Sequence, residues 1–136
     1  MKKFAKIMAV ALVAVLAMAA LVACAPASDP DKAVAALKKH EYSAGKDTLV
    51  AAALNGLGIS GLNAVVKGTK SVKNGDKNKL ETVTIAYFTD AKAAKASWEK
   101  IKSYAENDKS DDSDWTVKQS GKLIYWGTKA AINAAH

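Results

Sequence analysis

Asp108, Ser110, Asp112 and Asp114 place oxygen-bearing side chains at alternate positions, the arrangement with which a loop surrounds a hard divalent cation. Two parts of such a loop are missing. Ser113 stands where the sharp turn of a calcium loop needs glycine, and Gln119 stands where a bidentate glutamate would close the shell. The run therefore reads as a solvated exit from a preceding helix, and no metal is expected. Gly56-Leu57-Gly58-Ile59-Ser60-Gly61 has the spacing of a dinucleotide-binding fingerprint, whose glycines let the backbone approach a pyrophosphate. That chemistry needs a buried strand before the glycines and a helix of several turns after them. Here the preceding residues read as helical, so the glycines predict a tightly turned connection and no cofactor.

Catalytic groupings are equally sparse. There is no Gly-x-Ser-x-Gly elbow, no His-Glu-x-x-His, and no thiol beyond one cysteine. The two histidines, His40 at the end of a predicted helix and His136 as the last residue, have no partner at ligand spacing. Glu81, Asp76 and Asp90 would form an acid and base pair only if the fold brought them together. The expectation is a protein that is not an enzyme and has no catalytic residues.

Aromatic residues offer a binding surface instead. Trp115, Tyr125 and Trp126 fall on a predicted C-terminal hairpin, and Tyr87 and Phe88 on the strand before it. Tyr125 and Trp126 are adjacent in a strand and must face opposite sides. One is expected in the core and the other on an open sheet face, where it would stack on a sugar ring or anchor a protein. Core packing, or cover by the terminal helix, is the competing expectation for each.

The single cysteine has the most distinctive surroundings. Met1 to Lys6 carry three lysines and no acid, Ile7 to Ala20 are continuously apolar, and the small residue Ala23 precedes Cys24. This is the three-part pattern of a secretory signal. Leu21-Val22-Ala23-Cys24 resembles the lipobox of bacterial prolipoproteins, over residues 1–24 only. The resemblance implies cleavage between Ala23 and Cys24, diacylglyceryl transfer to the Cys24 thiol, and acylation of the new amino group. More than one acyl chain is needed for stable anchoring, because each buried methylene contributes about 0.8 kcal/mol and one myristoyl chain binds only marginally. It also implies a lipid-anchored location on the exported side of the cell membrane or outer membrane. Three alternatives stay open: a buried free cysteine, an uncleaved membrane helix, and cleavage after Ala25-Pro26-Ala27.

Three of the 20 lysines lie in residues 1–23, leaving 17 against 13 acids and a net charge of +4 for the remainder. None of the basic residues is arginine, which removes the bidentate fork used for phosphates and guanine edges, so nucleic acid is not an expected partner. The expected partners are the membrane, through the lipid, and an envelope protein or glycan. Residues 1–23 read as the signal peptide, 24–30 as the lipidated cysteine and a short tether, and 31–136 as one small domain.

The elements that must position these residues are legible in outline. Ser28 or Asp29 can cap a helix that Pro30 opens and that ends near His40. Tyr42 to Lys46 reads as a short strand, Thr48 to Asn55 as an alanine-rich helix, and Leu62 to Val72 and Leu80 to Phe88 as strands flanking the turn cluster at 74–78. Asp90 caps a helix whose Ala94, Trp98, Ile101 and Ala105 share one face. Trp115 to Gln119 and Lys122 to Trp126 flank the tight turn Ser120-Gly121, and Thr128 is expected to cap a last helix. The fold class is α+β, an antiparallel sheet with helices packed on one face, and the element order matches a ferredoxin-like split βαβ plan.

Overall fold

The computed structural model describes residues 25–109 and 114–136. Helix α1 (Pro30–Lys39) is followed by β1 (Ser43–Lys46), α2 (Thr48–Gly56), β2 (Leu62–Asn74), β3 (Lys77–Phe88), α3 (Ala91–Asn107), β4 (Trp115–Ser120), β5 (Leu123–Thr128) and α4 (Lys129–Ala134). The strands form one five-stranded sheet in the order β1-β2-β3-β5-β4, with every pairing antiparallel. The protein is α+β with an antiparallel sheet, as its sequence predicts.

Local chemistry accounts for most of the boundaries. The Asp29 carboxylate accepts from the amides of Asp31 and Lys32 at 2.8 and 3.4 Å, and Pro30 occupies the first helical turn of α1. Asp47 accepts from the Val50 amide at 2.9 Å, and Asp90 from the Ala93 amide at 2.7 Å, opening α2 and α3. Thr128 precedes α4 but does not cap it with its side chain. Its hydroxyl is committed elsewhere, accepting from the Thr82 amide at 3.3 Å and donating to the Thr82 carbonyl at 3.5 Å.

Helices cover both faces of the sheet, which corrects the expectation that they share one. On one face α1 and α4 bring Ala33, Leu37, Ala131 and Ile132 against Val66, Val83, Ile85, Tyr87, Leu123 and Tyr125. On the other, α2 and α3 bring Leu54, Ala94, Ile101 and Ala105 against Val65, Ala86, Phe88, Ile124 and Trp126. The side chains of β3 and β5 alternate between two apolar layers, so all six residues of β5 are buried. Each large side chain so buried contributes about 1.5–3 kcal/mol. Gly68 lets α1 approach β2, because a Cβ there would stand 2.8 Å from Leu37 Cδ1.

The ferredoxin-like plan is also corrected. It requires two interleaved βαβ units, each with a foreign strand between its own two. Only β3-α3-β4 is split in this way, around β5. By contrast β1 and β2 lie side by side and antiparallel, so α2 leaves and returns at the same end of the sheet. Gly58 and Gly61, at φ 79° and 80°, turn the chain back between α2 and β2.

Candidate functional site

Ala23 and Cys24 lie outside the described residues, but the segment directly after them is built into the domain. Pro26 is buried, and Ala25 and Ala27 pack against the α1/α4 layer. The Ala27 amide donates to the Ala135 carbonyl at 2.9 Å, and the Tyr87 hydroxyl donates to the Ala27 carbonyl at 2.8 Å. His136 Nδ1 lies 2.9 Å from the Ala25 carbonyl oxygen. The start of the predicted tether is therefore a docked strap, because its backbone groups find partners and its proline ring joins the core. Burial raises the Tyr87 phenol well above its ordinary value of 10.0, and the Asp29 carboxylate adds to the rise. Since the unfolded phenol ionises first, this residue's contribution is complete below pH 10 and is lost as the pH climbs through the higher folded value. Tyr87→Phe is expected to lower stability at pH 8 by about 1 kcal/mol and to flatten the alkaline limb, both read from urea unfolding at a series of pH values.

Among the described residues the aromatics expected on a ligand surface pack in or beside the core instead of lining an open sheet face. Tyr125 is buried in the α1/α4 layer and Trp126 in the α2/α3 layer, while Trp115 is half-buried beside the latter. Tyr87 and Phe88 divide between the same two layers. The opposite orientation of Tyr125 and Trp126 holds, but both sides are core. Tyr104 of α3 meets the Trp126 ring edge to face, centroids 6.1 Å apart and planes at 72°, and the indole Nε1 donates to Asp108 Oδ2 at 3.4 Å.

The other sequence motifs disperse. Asp76 lies in the β2–β3 turn, Glu81 within β3, and Asp90 beyond its end, so these acids do not converge. His40 is exposed at the end of α1, and His136 is an exposed residue contacting Ala25. The glycine run 56–61 leads into a strand rather than a helix. Of the calcium-like run, residues 110–113 lie outside the described residues, Asp108 is at the end of α3, and Asp114 faces Lys79. Among the described residues no three His, Cys, Asp or Glu side chains gather as metal ligands, and no helix is long and apolar enough to cross a membrane.

Three features went unanticipated. First, Glu81 is buried on the α1/α4 side, its side chain 8 % exposed. Its Oε1 lies 3.4 Å from Lys79 Nζ, which also meets Asp114 Oδ2 at 3.4 Å, while Oε2 has no hydrogen-bond partner among the described residues. The Tyr42 phenol is pushed above its ordinary value by burial and then by the Glu81 charge. Lys70, paired with Glu81 across the strands, lies 5.5 Å from the Tyr42 ring centroid and donates to the His40 carbonyl at 3.1 Å.

Second, a cleft of about 460 Å³ opens between Leu57 at the end of α2 and Glu99, Lys100, Ser103, Tyr104 and Asn107 of α3. Lys100 Nζ donates across it to the Leu57 carbonyl at 3.2 Å. Burial raises the Tyr104 phenol above its ordinary value, with further rises from Asp108 and Asp47.

Third, the β2–β3 hairpin outruns the sheet. β1 reaches only Thr69 of β2, and β5 reaches only Val83 of β3. Beyond those residues the two long strands pair with each other as far as Asn74 and Lys77, joined by a two-residue turn at Gly75 and Asp76. From Tyr87, which holds the strap, to Lys77 is ten residues of one strand, about 33 Å at ~3.3 Å per residue. No protein-family model, curated protein or solved structure matches the chain.

Proposed function

We propose that this chain is a lipid-anchored lipoprotein of the cell envelope whose domain serves as a non-enzymatic protein-interaction module. The lysine-rich start, the apolar run and Leu21-Val22-Ala23-Cys24 supply the address. The observation that carries the reading is the docked strap. Ala25 to Ala27 are held by Ala135, Tyr87 and His136, so the chain is already part of the domain at the residue after Cys24. An anchor at Cys24 would hold the domain close to the bilayer, a property useful to a module that meets its partner at the membrane surface. The strap and the tip of the β2–β3 hairpin lie at opposite ends of β3.

A second reading, a lipoprotein that binds a glycan or another small ligand, is favoured by the cleft beside Tyr104 rather than by the sheet aromatics. Its volume lies in the range of small-ligand sites, about 300–1,000 Å³. Leu57 and the Tyr104 ring offer apolar contact, and Glu99, Lys100, Ser103 and Asn107 offer hydrogen bonds.

Intact mass measurement of the native protein from membranes, beside a Cys24→Ser variant, tests the anchor. The expected mass is that of residues 24–136 plus acyl chains, with the chains absent from the variant. An unmodified full-length chain, or an unmodified shortened one, would overturn lipid anchoring.

A further inference from the structure

The projecting hairpin has two unlike faces, and the difference between them defines an occupant. Side chains alternate along each strand. On the α1/α4 side the pairing register brings together Lys70, Val72, Lys79 and Glu81. These charges pair with acids of the domain: Lys70 meets Glu41 at 3.9 Å, and Lys79 meets both Glu81 and Asp114 at 3.4 Å.

The α2/α3 side is different. There β2 presents Lys67, Thr69, Ser71 and Lys73, and β3 presents Asn78, Leu80 and Thr82. No acid stands on this face of the hairpin. Lys67 and Lys73 form no ion pair among the described residues. Ser71, Lys73, Asn78 and Leu80 are exposed, and Leu80, directly opposite Ser71 in the register, is 57 % accessible. Lysines on a projecting strand pair also discourage sheet-to-sheet aggregation, but an exposed leucine between them works against that purpose.

We infer that this face, from Lys67 to Lys73 on β2 and Asn78 to Thr82 on β3, is a docking surface for an acidic, extended segment of another protein. The inference rests on the interaction-module reading and supplies its partner. The segment's carboxylates meet Lys67 and Lys73, which form no ion pair among the described residues; Asp47, which lines the same hollow as Lys67, is engaged in capping α2. An apolar side chain of the segment covers Leu80, and its backbone meets the hydroxyls of Thr69, Ser71 and Thr82. A polyanion without apolar groups would satisfy the lysines and leave Leu80 in water, which is why a protein segment is the better occupant. The interaction is electrostatically steered and weakens as salt rises.

The test uses the full chain purified in detergent and two synthetic peptides, one alternating glutamate with leucine and one alternating glutamate with serine, beside inorganic polyphosphate. Binding is followed by fluorescence anisotropy of the labelled peptides and competition by polyphosphate. The glutamate-leucine peptide is expected to bind on the order of tenfold more tightly than the glutamate-serine peptide. Lys67→Glu combined with Lys73→Glu is expected to weaken it by a similar factor, and Leu80→Ser to remove the preference for leucine. Lys118→Glu, an exposed charge change on β4, should leave binding unchanged, and urea midpoints check that each variant is folded. Equal binding of both peptides, or displacement by polyphosphate irrespective of Leu80, would identify a polyanion surface and overturn the inference. Absence of binding, or binding indifferent to the hairpin substitutions, would overturn it as well. Because binding is measured whatever lipid the chain carries, failure here is separable from failure of the anchor, which the mass measurement decides.

Discussion

Gly127→Ala is expected to cost about 3–5 kcal/mol and to leave the protein largely unfolded if its total stability lies at the low end of the usual range. Gly127 has φ 145°, a conformation L side chains rarely adopt. A Cβ there would overlap the Thr82 carbonyl oxygen and stand 2.8 Å from Val83 Cα. The obstacles are backbone atoms of the central strand β3, so relief requires moving β5 away from β3, which forfeits packing in both layers. The Thr128 hydroxyl, which bonds the Thr82 amide and carbonyl, would be displaced together with it. In urea the midpoint should fall by roughly 1.5–2.5 M, taking a slope of about 2 kcal/mol/M for a small protein. Gly45→Ala provides the comparison, since a Cβ at Gly45 meets nothing within 4 Å, and its midpoint should be unchanged or slightly raised. If Gly127→Ala unfolded at the wild-type midpoint, the close approach of β3 and β5 at Thr82 would be wrong.

Trp126→Ala is the second large effect, a loss of about 3–5 kcal/mol. The ring is 1 % exposed in the α2/α3 layer, with Ile124 beside it in that layer and Tyr104 edge to face against it. Truncation opens a cavity that the alanine-rich face of α3 cannot fill, because Ala94 and Ala105 have no side chain to extend into it. Asp108 is exposed and regains water when the indole is lost, so the hydrogen bond at 3.4 Å accounts for little of the cost. Trp126→Phe should recover roughly half of the loss in urea unfolding. An alanine variant as stable as wild type would mean the α2/α3 layer does not depend on this ring. Trp126 is thus a poor probe of ligand binding, since its removal disturbs the whole layer, whereas Leu80 and Lys73 are exposed on the hairpin and suit that purpose.

How much was legible follows the range of the interactions. The capping acids Asp29, one of two candidates with Ser28, and Asp90, the turn clusters at 74–78 and 120–121, and the helical spacing of Ala94, Ile101 and Ala105 each act within a few residues, and the elements follow in the predicted order, with the turns narrowed to Gly75-Asp76 and Gly121-Lys122. The placement of all helices on one face was mistaken. A signal against it was present in Leu123-Ile124-Tyr125-Trp126, a continuous apolar run in a strand of six residues. A strand with one wet face alternates apolar and polar residues, so an unbroken run points to cover on both sides. Of the two expectations for Tyr125 and Trp126, core packing on both sides is the one that this run favours.

The candidate surfaces were less legible for a similar reason. Glu81 sits in Leu80-Glu81-Thr82 and gives no local sign that it, rather than Leu80, is the buried member. The exchange arises because the hairpin extends past β5, so that Leu80 lies beyond the core while Glu81 remains under the α1/α4 layer with Lys79 and Tyr42. The strap shows the same limit, since partners at 87, 135 and 136 for residues 25–27 are unforeseeable from Ala25-Pro26-Ala27.

By itself, then, the sequence determined the α+β class and the order and approximate bounds of the elements. These rest on capping, turn chemistry and periodicity, which act between near neighbours in the chain. The tertiary structure alone decided the strand order, the second layer of helices, the docked strap, and the hairpin face that joins Lys67 and Lys73 to Leu80. Each depends on pairing register or packing between residues far apart in sequence, and local propensity does not encode which distant partner a segment will meet.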